Sequence, residues 1–321
     1  MELDIWQGDW SLPSVDLTCL QVMAYAKFSG APIQIKRTNW PLSRYGHLPV
    51  FRHGKKNTLT TFDNIVTYLQ KQNYNADGDL TSIQCSDIIA YTALLRDKLY
   101  PALLYIWWVD EKNYIELTRP WYAKVLHFPL NYFLPGHQQR AAQETINNLW
   151  NSDLIEDAQK ETALYKDAQE CLNLLSYRLG NNEFFCGKKS NPCSLDAIVF
   201  GFLAPLLKAP FKNAALQNHL KACPNLVQFV QRILQKYFPL SPEELEALKK
   251  QQEQEVEERR EFPHKWRDII LSGLFAATVM LGYAAVALKI KYPVRQEYDY
   301  DYPIDDYGYY DDRDRQRGNN R

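Results

Sequence analysis

The 321 residues carry a net charge of −1, with 46% hydrophobic and 13% aromatic side chains. That balance supplies one or two hydrophobic cores and excludes a basic surface suited to nucleic acid. Six scattered cysteines, Cys19, Cys85, Cys171, Cys186, Cys193 and Cys223, read as core thiols. Cys186 and Cys193 lack a CxxC partner pair and a His at ligand spacing, so no zinc site is expected.

The first residues, Met1 to Asp4, offer no basic or apolar leader, and Lys27 is the only Lys or Arg before residue 36. Neither a secretory signal nor an Arg-rich transit peptide is expected, and the bulk of the chain is expected in the cytosol. Residues 3–6 then read as a short strand. Residues 15–28 follow as an apolar-periodic helix stopped by Ser29 and Gly30, and residues 32–36 as a second strand. Pro49 opens a short apolar strand, residues 53–57 form a turn, residues 58–61 a further strand, and residues 62–72 a closing helix. This order is that of the thioredoxin-like half of a glutathione-transferase architecture, in which the strand-opening proline is usually cis. The Leu48-Pro49 bond is therefore expected to be cis.

From residue 80 onward the pattern is helical, with predicted helices over 86–105, 135–150, 158–179, 194–208, 214–223 and 225–237. Ser194 and Asp196 stand at the start of a strongly apolar helix. They are expected to cap it, because its first N–H groups must be satisfied away from water. The fold class is thus α/β plus all-α. A thioredoxin-like domain spans 1–78 and an all-helical domain 79–240.

A charged segment, 241–268, opens with a capping box at Ser241 to Glu244 and reads as a solvated helix or a disordered spacer. Residues 269–288, IILSGLFAATVMLGYAAVAL, contain no charge in twenty positions. A helix of that length is about 30 Å long, enough to cross a bilayer core, so a single transmembrane helix is expected. Lys250, Arg259, Arg260, Lys265 and Arg267 outnumber Lys289, Lys291 and Arg295, which agrees with a cytosolic N-terminal side. Short basic flanks favour the outer mitochondrial membrane over the secretory pathway. The tail, 289–321, is rich in Tyr and Asp and is expected to be disordered.

An active transferase needs a Tyr, Ser or Cys near the first helix start, the proline-led strand, and an acidic-Ser pair after the hairpin. Thr61 and Phe62 occupy the positions of that pair, and Phe62 cannot make the required hydrogen bonds. Ser11 and Ser14 are the hydroxyls near the first helix. Ser14 is at least as well explained as an N-cap, and Asp16 would oppose a thiolate. The histidines, His47, His53, His127, His137, His219 and His264, are isolated from any nucleophile. No catalytic, cofactor-binding or metal-ligating residue is assigned. The Pro-flanked aromatic stretch 128–136, with Phe128, Tyr132 and Phe133, reads as a partner surface.

Several strings carry a family likeness: residues 10–16 (WSLPSVD), 25–32 (YAKFSGAP), 71–77 (KQNYNAD), 112–114 with 121–123, 128–136 (FPLNYFLPG), 170–176 (ECLNLLS) and 194–197 (SLDA). In these the chain resembles the metaxin family, in its metaxin-1-like branch, over most of residues 1–240. The resemblance implies an inactive transferase-like fold in a cytosol-facing subunit of the sorting and assembly machinery of the mitochondrial outer membrane, acting in β-barrel insertion. It implies a metaxin-2-like subunit and the channel-forming barrel insertase as partners, with links to cristae-organising complexes and to motor adaptors. It implies no cofactor. A transport adaptor without a role in insertion and an active glutathione-dependent transferase remain as alternatives. The spacer at 241–261 and the Tyr/Asp-rich tail depart from the family pattern.

Overall fold

The computed structural model describes residues 1–38, 48–54, 57–149, 157–186, 191–239, 246 and 265–291. The chain forms two compact units, Met1–Lys249 and Lys250–Arg321. Gly46, His47, the capping box at 241–244, the spacer to 261, His264 and the tail beyond 291 lie outside the described residues.

Unit one begins with β1 (Glu2–Ile5), α1 (Leu17–Ser29), β2 (Gln34–Arg37), β3 (Val50–His53), β4 (Asn57–Leu59) and α2 (Phe62–Lys71). The sheet order is β2-β1-β3-β4, with β1 parallel to β2 and antiparallel to β3, and β3 antiparallel to β4. Leu3 and Ile5 alternate onto the buried face of β1, and Leu3 lies opposite Ile35 on one side and Phe51 on the other. The Leu48-Pro49 and Phe128-Pro129 peptide bonds are both cis.

The α1 sequence is apolar nearly all round, and Cys19 to Ala26 are all buried, where sequence periodicity assigned one apolar side. Gln21 supplies the reason. Its Nε2 donates to the Ile198 carbonyl at 3.4 Å, so the face of α1 away from the sheet is covered by the helix that carries Ile198. Gly201 on that helix is required by the contact. A Cβ there would stand 2.3 Å from Gln21 Cγ and 2.7 Å from the Leu17 carbonyl oxygen. The C-terminus of α1 closes on Gly30 in the left-handed conformation, φ 70°, with its N–H bonded to the Ala26 carbonyl.

The helical part runs through α3 (Ser82–Leu94), α4 (Tyr100–Leu104), α5 (Glu111–Asn113), α6 (Arg119–Val125), α7 (Leu130–Leu149), α8 (Asp157–Leu179), α9 (Ser194–Lys208), α10 (Ala215–Lys221) and α11 (Pro224–Tyr237). Thr81 and Gln84 form a capping box that starts α3 four residues earlier than periodicity placed it. Wide π-helical turns at Leu95–Leu99, Tyr105–Val109 and Tyr114–Thr118 join α3 to α6. One continuous core runs from Leu3 and Leu20 through Leu99 and Leu172 to Phe200 and Ile233.

The second unit contains α12 (Lys265–Lys291), a single helix of 27 residues. Its described side chains, residues 270, 271 and 273–284, are exposed. Among the described residues no helix is long and apolar enough to cross a membrane. The span expected over 269–288 is therefore not established by those residues.

Candidate functional site

The loop before α1 is drawn tight. Trp10 and Ser11 both adopt left-handed backbone, φ 51° and 62°, a conformation costing a non-glycine residue roughly 1–2 kcal/mol. Asp9 holds it there. Its Oδ1 accepts from the Trp10 N–H at 2.7 Å, its carbonyl accepts from the Leu12 N–H at 2.8 Å, and its Oδ2 accepts from the Trp121 indole N–H at 2.9 Å. The Trp10 ring then lies 5.8 Å from Trp107 and 6.1 Å from Trp121.

At the α1 start the cap is Asp16, not Ser14. Asp16 Oδ1 accepts from the Cys19 N–H at 2.7 Å, while the buried Ser14 hydroxyl accepts from the Asp16 N–H at 3.4 Å. Asp sits at the position where its carboxylate reaches the third helical N–H, which Ser14, two residues earlier, cannot do. Burial, and then the Asp16 carboxylate, push the Cys19 thiol well above its ordinary range, so this helix start holds a neutral thiol. Phe62, after the hairpin, is buried and packs edge-on against Tyr25 at 6.2 Å.

Beside this helix start lies a cavity of about 290 Å³. Trp6, Trp107, Trp108, Trp121, Tyr100 and Tyr122 line it, with Asp16 at one wall. The rings brace one another. Tyr122 lies 5.4 Å from Trp6, 5.1 Å from Trp108 and 4.9 Å from Trp121, separations at which aromatic pairs are favourable. Burial, then the Asp16 carboxylate, raise both the Tyr122 and Tyr100 hydroxyls above their usual range.

At the α9 start Asp196 takes part in the cap as expected, and Ser194 does not. The N-cap is Cys193, with Ser194 already inside the helix. Asp196 is fully buried; one of its oxygens accepts from the Phe185 N–H and the other from the Cys193 N–H, both at 2.8 Å. The Ser194 N–H instead donates to Asp77 Oδ1 at 2.8 Å, a link from the end of the thioredoxin-like part to α9. Burial pushes Asp196 up to about 7.

Cys186 and Cys193 are not separate thiols. They form a disulfide, and the bond from the Phe185 N–H to Asp196 holds the neighbouring Cys186 at the helix start. Cys186, Cys193 and Asp196 place three ligand-type atoms within 4.8 Å of one another. The sulfurs are bonded to each other and both carboxylate oxygens are taken, so the set does not fit a metal and acts as a clasp on the α9 start.

Phe128, Tyr132 and Phe133 are 76%, 71% and 71% exposed. Phe128 and Tyr132 meet edge-on at 6.1 Å. Beyond Pro129 the stretch is helical: α7 begins at Leu130 and carries Pro135 within it, so the last two aromatics stand on its first turn. The described histidines show no nucleophile partner. His53 Nδ1 lies 2.7 Å from the Tyr68 hydroxyl and His219 Nε2 lies 3.0 Å from Asn173.

Sequence reasoning missed a polar knot elsewhere in the helical part. The buried Asn113 accepts from the N–H groups of Lys212 and Asn213 at 2.8 and 3.0 Å and donates to the Asn213 carbonyl at 3.2 Å. Asp110 caps Asn113 and accepts from the Asn213 amide at 2.7 Å. The Asp110-x-x-Asn113 spacing was the available signal.

The fold is that of the glutathione transferases. A glutathione S-transferase of Ceriporiopsis subvermispora solved with glutathione matches with a TM-score of 0.50 at 13% identity, over 75% of this chain and 98% of that one. A family described as "Glutathione S-transferase, C-terminal domain" matches residues 168–233, and one described as "Outer mitochondrial membrane transport complex protein" matches residues 19–139. The chain is 43% identical over 289 residues to Metaxin-1 of Mus musculus, a match covering 89% of this chain and 90% of that protein. It is 46% identical over 239 residues to Metaxin-3 of Danio rerio, covering 74% and 76%. The chain belongs to the metaxin family. Together with the transport-complex match, this supports a role in mitochondrial protein transport at the outer membrane.

Proposed function

We propose that the protein is a non-enzymatic, cytosol-facing subunit of the sorting and assembly machinery of the mitochondrial outer membrane, supporting import and insertion of β-barrel proteins. The observation that carries this reading is the identity to Metaxin-1 across 89% of the chain. The helix start supports the non-enzymatic part. Cys19 is neutral and buried, Asp16 opposes a thiolate beside it, and Phe62, which stands in sequence where the glutamyl-binding pair is expected, is buried against Tyr25.

The parts divide the work. The thioredoxin-like part (1–78) and the helical part (79–240) form a docking body, 241–268 a spacer, 269–288 a single-pass C-terminal anchor, and 289–321 a solvated tail. Support for the anchor is the uncharged twenty-residue run inside the 27-residue α12. A single alignment covering 89% of the chain also has to include most of that run. The exposed Phe128, Tyr132 and Phe133 offer the body's contact for a metaxin-2-like subunit or the barrel insertase. Cristae-organising complexes and motor adaptors are further partners.

The test is affinity isolation of the full chain from detergent-solubilised mitochondria, read by mass spectrometry, with barrel-precursor assembly followed after depletion. Recovery of a second metaxin and the barrel insertase, with stalled precursors, is the expected result. Normal barrel assembly with only motor components recovered would leave the transport-adaptor reading in its place.

A further inference from the structure

The cavity beside α1 has a composition that suits one kind of ligand. Six indole and phenol rings share its lining with aliphatic side chains and Gln138, and the faces of such rings are electron-rich. Asp16 is its single acidic lining residue, its carboxyl raised by burial and held back by the N–H groups of Cys19 and Thr18, and no Lys, Arg or His among the described residues lines it. An anion entering here meets a carboxylate and no counter-charge. Glutathione, with its carboxylates, is therefore poorly matched to the space.

A cation is matched twice, by the ring faces and by the carboxylate. Asp16 Oδ1 is already taken by the Cys19 N–H, so a primary ammonium, which is strongly hydrated, would have to replace its water with the other Asp16 oxygen, the Tyr100 and Tyr122 hydroxyls and Gln138. An alkylated ammonium carries its charge without donors and loses little hydration on entry. The volume, about 290 Å³, is at the small end of ligand sites, which are typically about 300–1,000 Å³.

We propose that this cavity binds a small organic cation with a trimethylammonium-type head, seated among Trp6, Trp108 and Tyr122 with the Asp16 carboxylate as its counter-charge. The rings are held in place without the ligand, by the edge-on contacts of Tyr122 with Trp6 and Trp121, its tilted contact with Trp108, and the bond from Trp121 to Asp9. The site is thus preorganised, and binding needs no ordering of loose side chains.

The test uses the full chain in a choline-free detergent and titrates choline against its neutral isostere, 3,3-dimethylbutan-1-ol, by calorimetry and by quenching of tryptophan fluorescence. Choline is expected to bind at least tenfold more tightly than the alcohol. Asp16→Asn preserves a side-chain acceptor for the helix cap, so it is expected to fold and to lose most of that preference. Trp108→Leu is expected to weaken choline at least tenfold and the alcohol less. Phosphocholine in a parallel titration separates the sources: comparable affinity assigns a lipid headgroup, and loss of binding assigns a free cation. Equal binding of choline and the alcohol, no binding of either, or an undiminished choline preference in Asp16→Asn would each overturn the proposal.

Discussion

Asp9 and Trp121, 112 residues apart in sequence, are joined by a 2.9 Å hydrogen bond from the indole N–H to a carboxylate oxygen. The bond ties the left-handed Trp10-Ser11 loop to α6 and so fixes one wall of the aromatic cavity. Replacing Trp121 by Phe keeps most of the apolar volume but leaves Asp9 Oδ2 without its donor. The expected cost is about 1–3 kcal/mol, from a part-buried charged acceptor left unpaired. Urea unfolding followed by far-UV circular dichroism measures it, and a cost under about 0.5 kcal/mol would mean that water replaces the indole freely.

Gly201 is where α1 and α9 come closest. An alanine there gains helix propensity of about 1 kcal/mol, yet its methyl would meet Gln21 Cγ at 2.3 Å and the Leu17 carbonyl at 2.7 Å. Overpacking of this kind costs about 1–3 kcal/mol, so Gly201→Ala is expected to be a net loss in thermal melts. Adding Gln21→Ala clears the side-chain contact but not the backbone one. The double variant should recover only part of the loss, and full recovery would show that the Leu17 contact yields on its own.

Asp196 gives a pH dependence of defined sign. Burial raises its carboxyl from the usual value near 3.8 to about 7, so between these values the folded chain holds a proton that the unfolded chain has released. Stability from this group is complete below the unfolded value and is lost as pH rises towards 7. Each tenfold gain in proton affinity on folding corresponds to about 1.4 kcal/mol at most. Asp196→Asn should flatten the slope of stability against pH between about 4 and 7 and lower stability throughout, since the amide nitrogen cannot accept from the second backbone N–H. Denaturant midpoints measured in half-unit steps of pH distinguish the variant from the parent chain. Parallel slopes would assign the pH dependence to other groups.

Much of the architecture was readable from residue patterns. The apolar run from Ser194 to Lys208 matches α9 end to end, and α2 begins at Phe62 where the pattern changes period. The region from Leu95 to Thr118 was harder, because π-helical turns advance each turn by more than 3.6 residues and shift the apolar positions off the helical stripe. Cap identity was missed at two starts for a shared reason. Ser14 and Ser194 carry the usual capping hydroxyl, but the position that faces the third N–H belongs to Asp16 and Cys193. The cavity was not readable at all. Its walls come from Trp6, Tyr100, Trp108 and Tyr122, and only the docking of α1 against the helical part brings them together.

The anchor reading predicts where a shortened chain goes. Removing residues 269–321 deletes the uncharged run and leaves the docking body intact, because Met1–Lys249 is compact by itself. The truncated chain is expected to leave mitochondria on alkaline carbonate extraction, while the full chain stays in the membrane pellet. Retention of both in the pellet would place the membrane attachment in the body.

Phe128, Tyr132 and Phe133 test the docking face. Each is more than two-thirds exposed, so replacing all three by Ser should shift stability by no more than about 0.5 kcal/mol per site. Exposed aromatics clustered on one helix start are the residue types that dominate protein contacts, and co-isolation of the second metaxin or the barrel insertase is expected to fall at least tenfold. Ile83, Ile89 and Tyr177 are as exposed, at 76%, 72% and 89%, and lie on other helices, which makes their triple Ser replacement the control. A loss of partners from the α7 variant alone ties docking to this patch. Equal loss from both would mean that general surface apolarity holds the complex, and loss from the control alone would move the contact to α3 and α8.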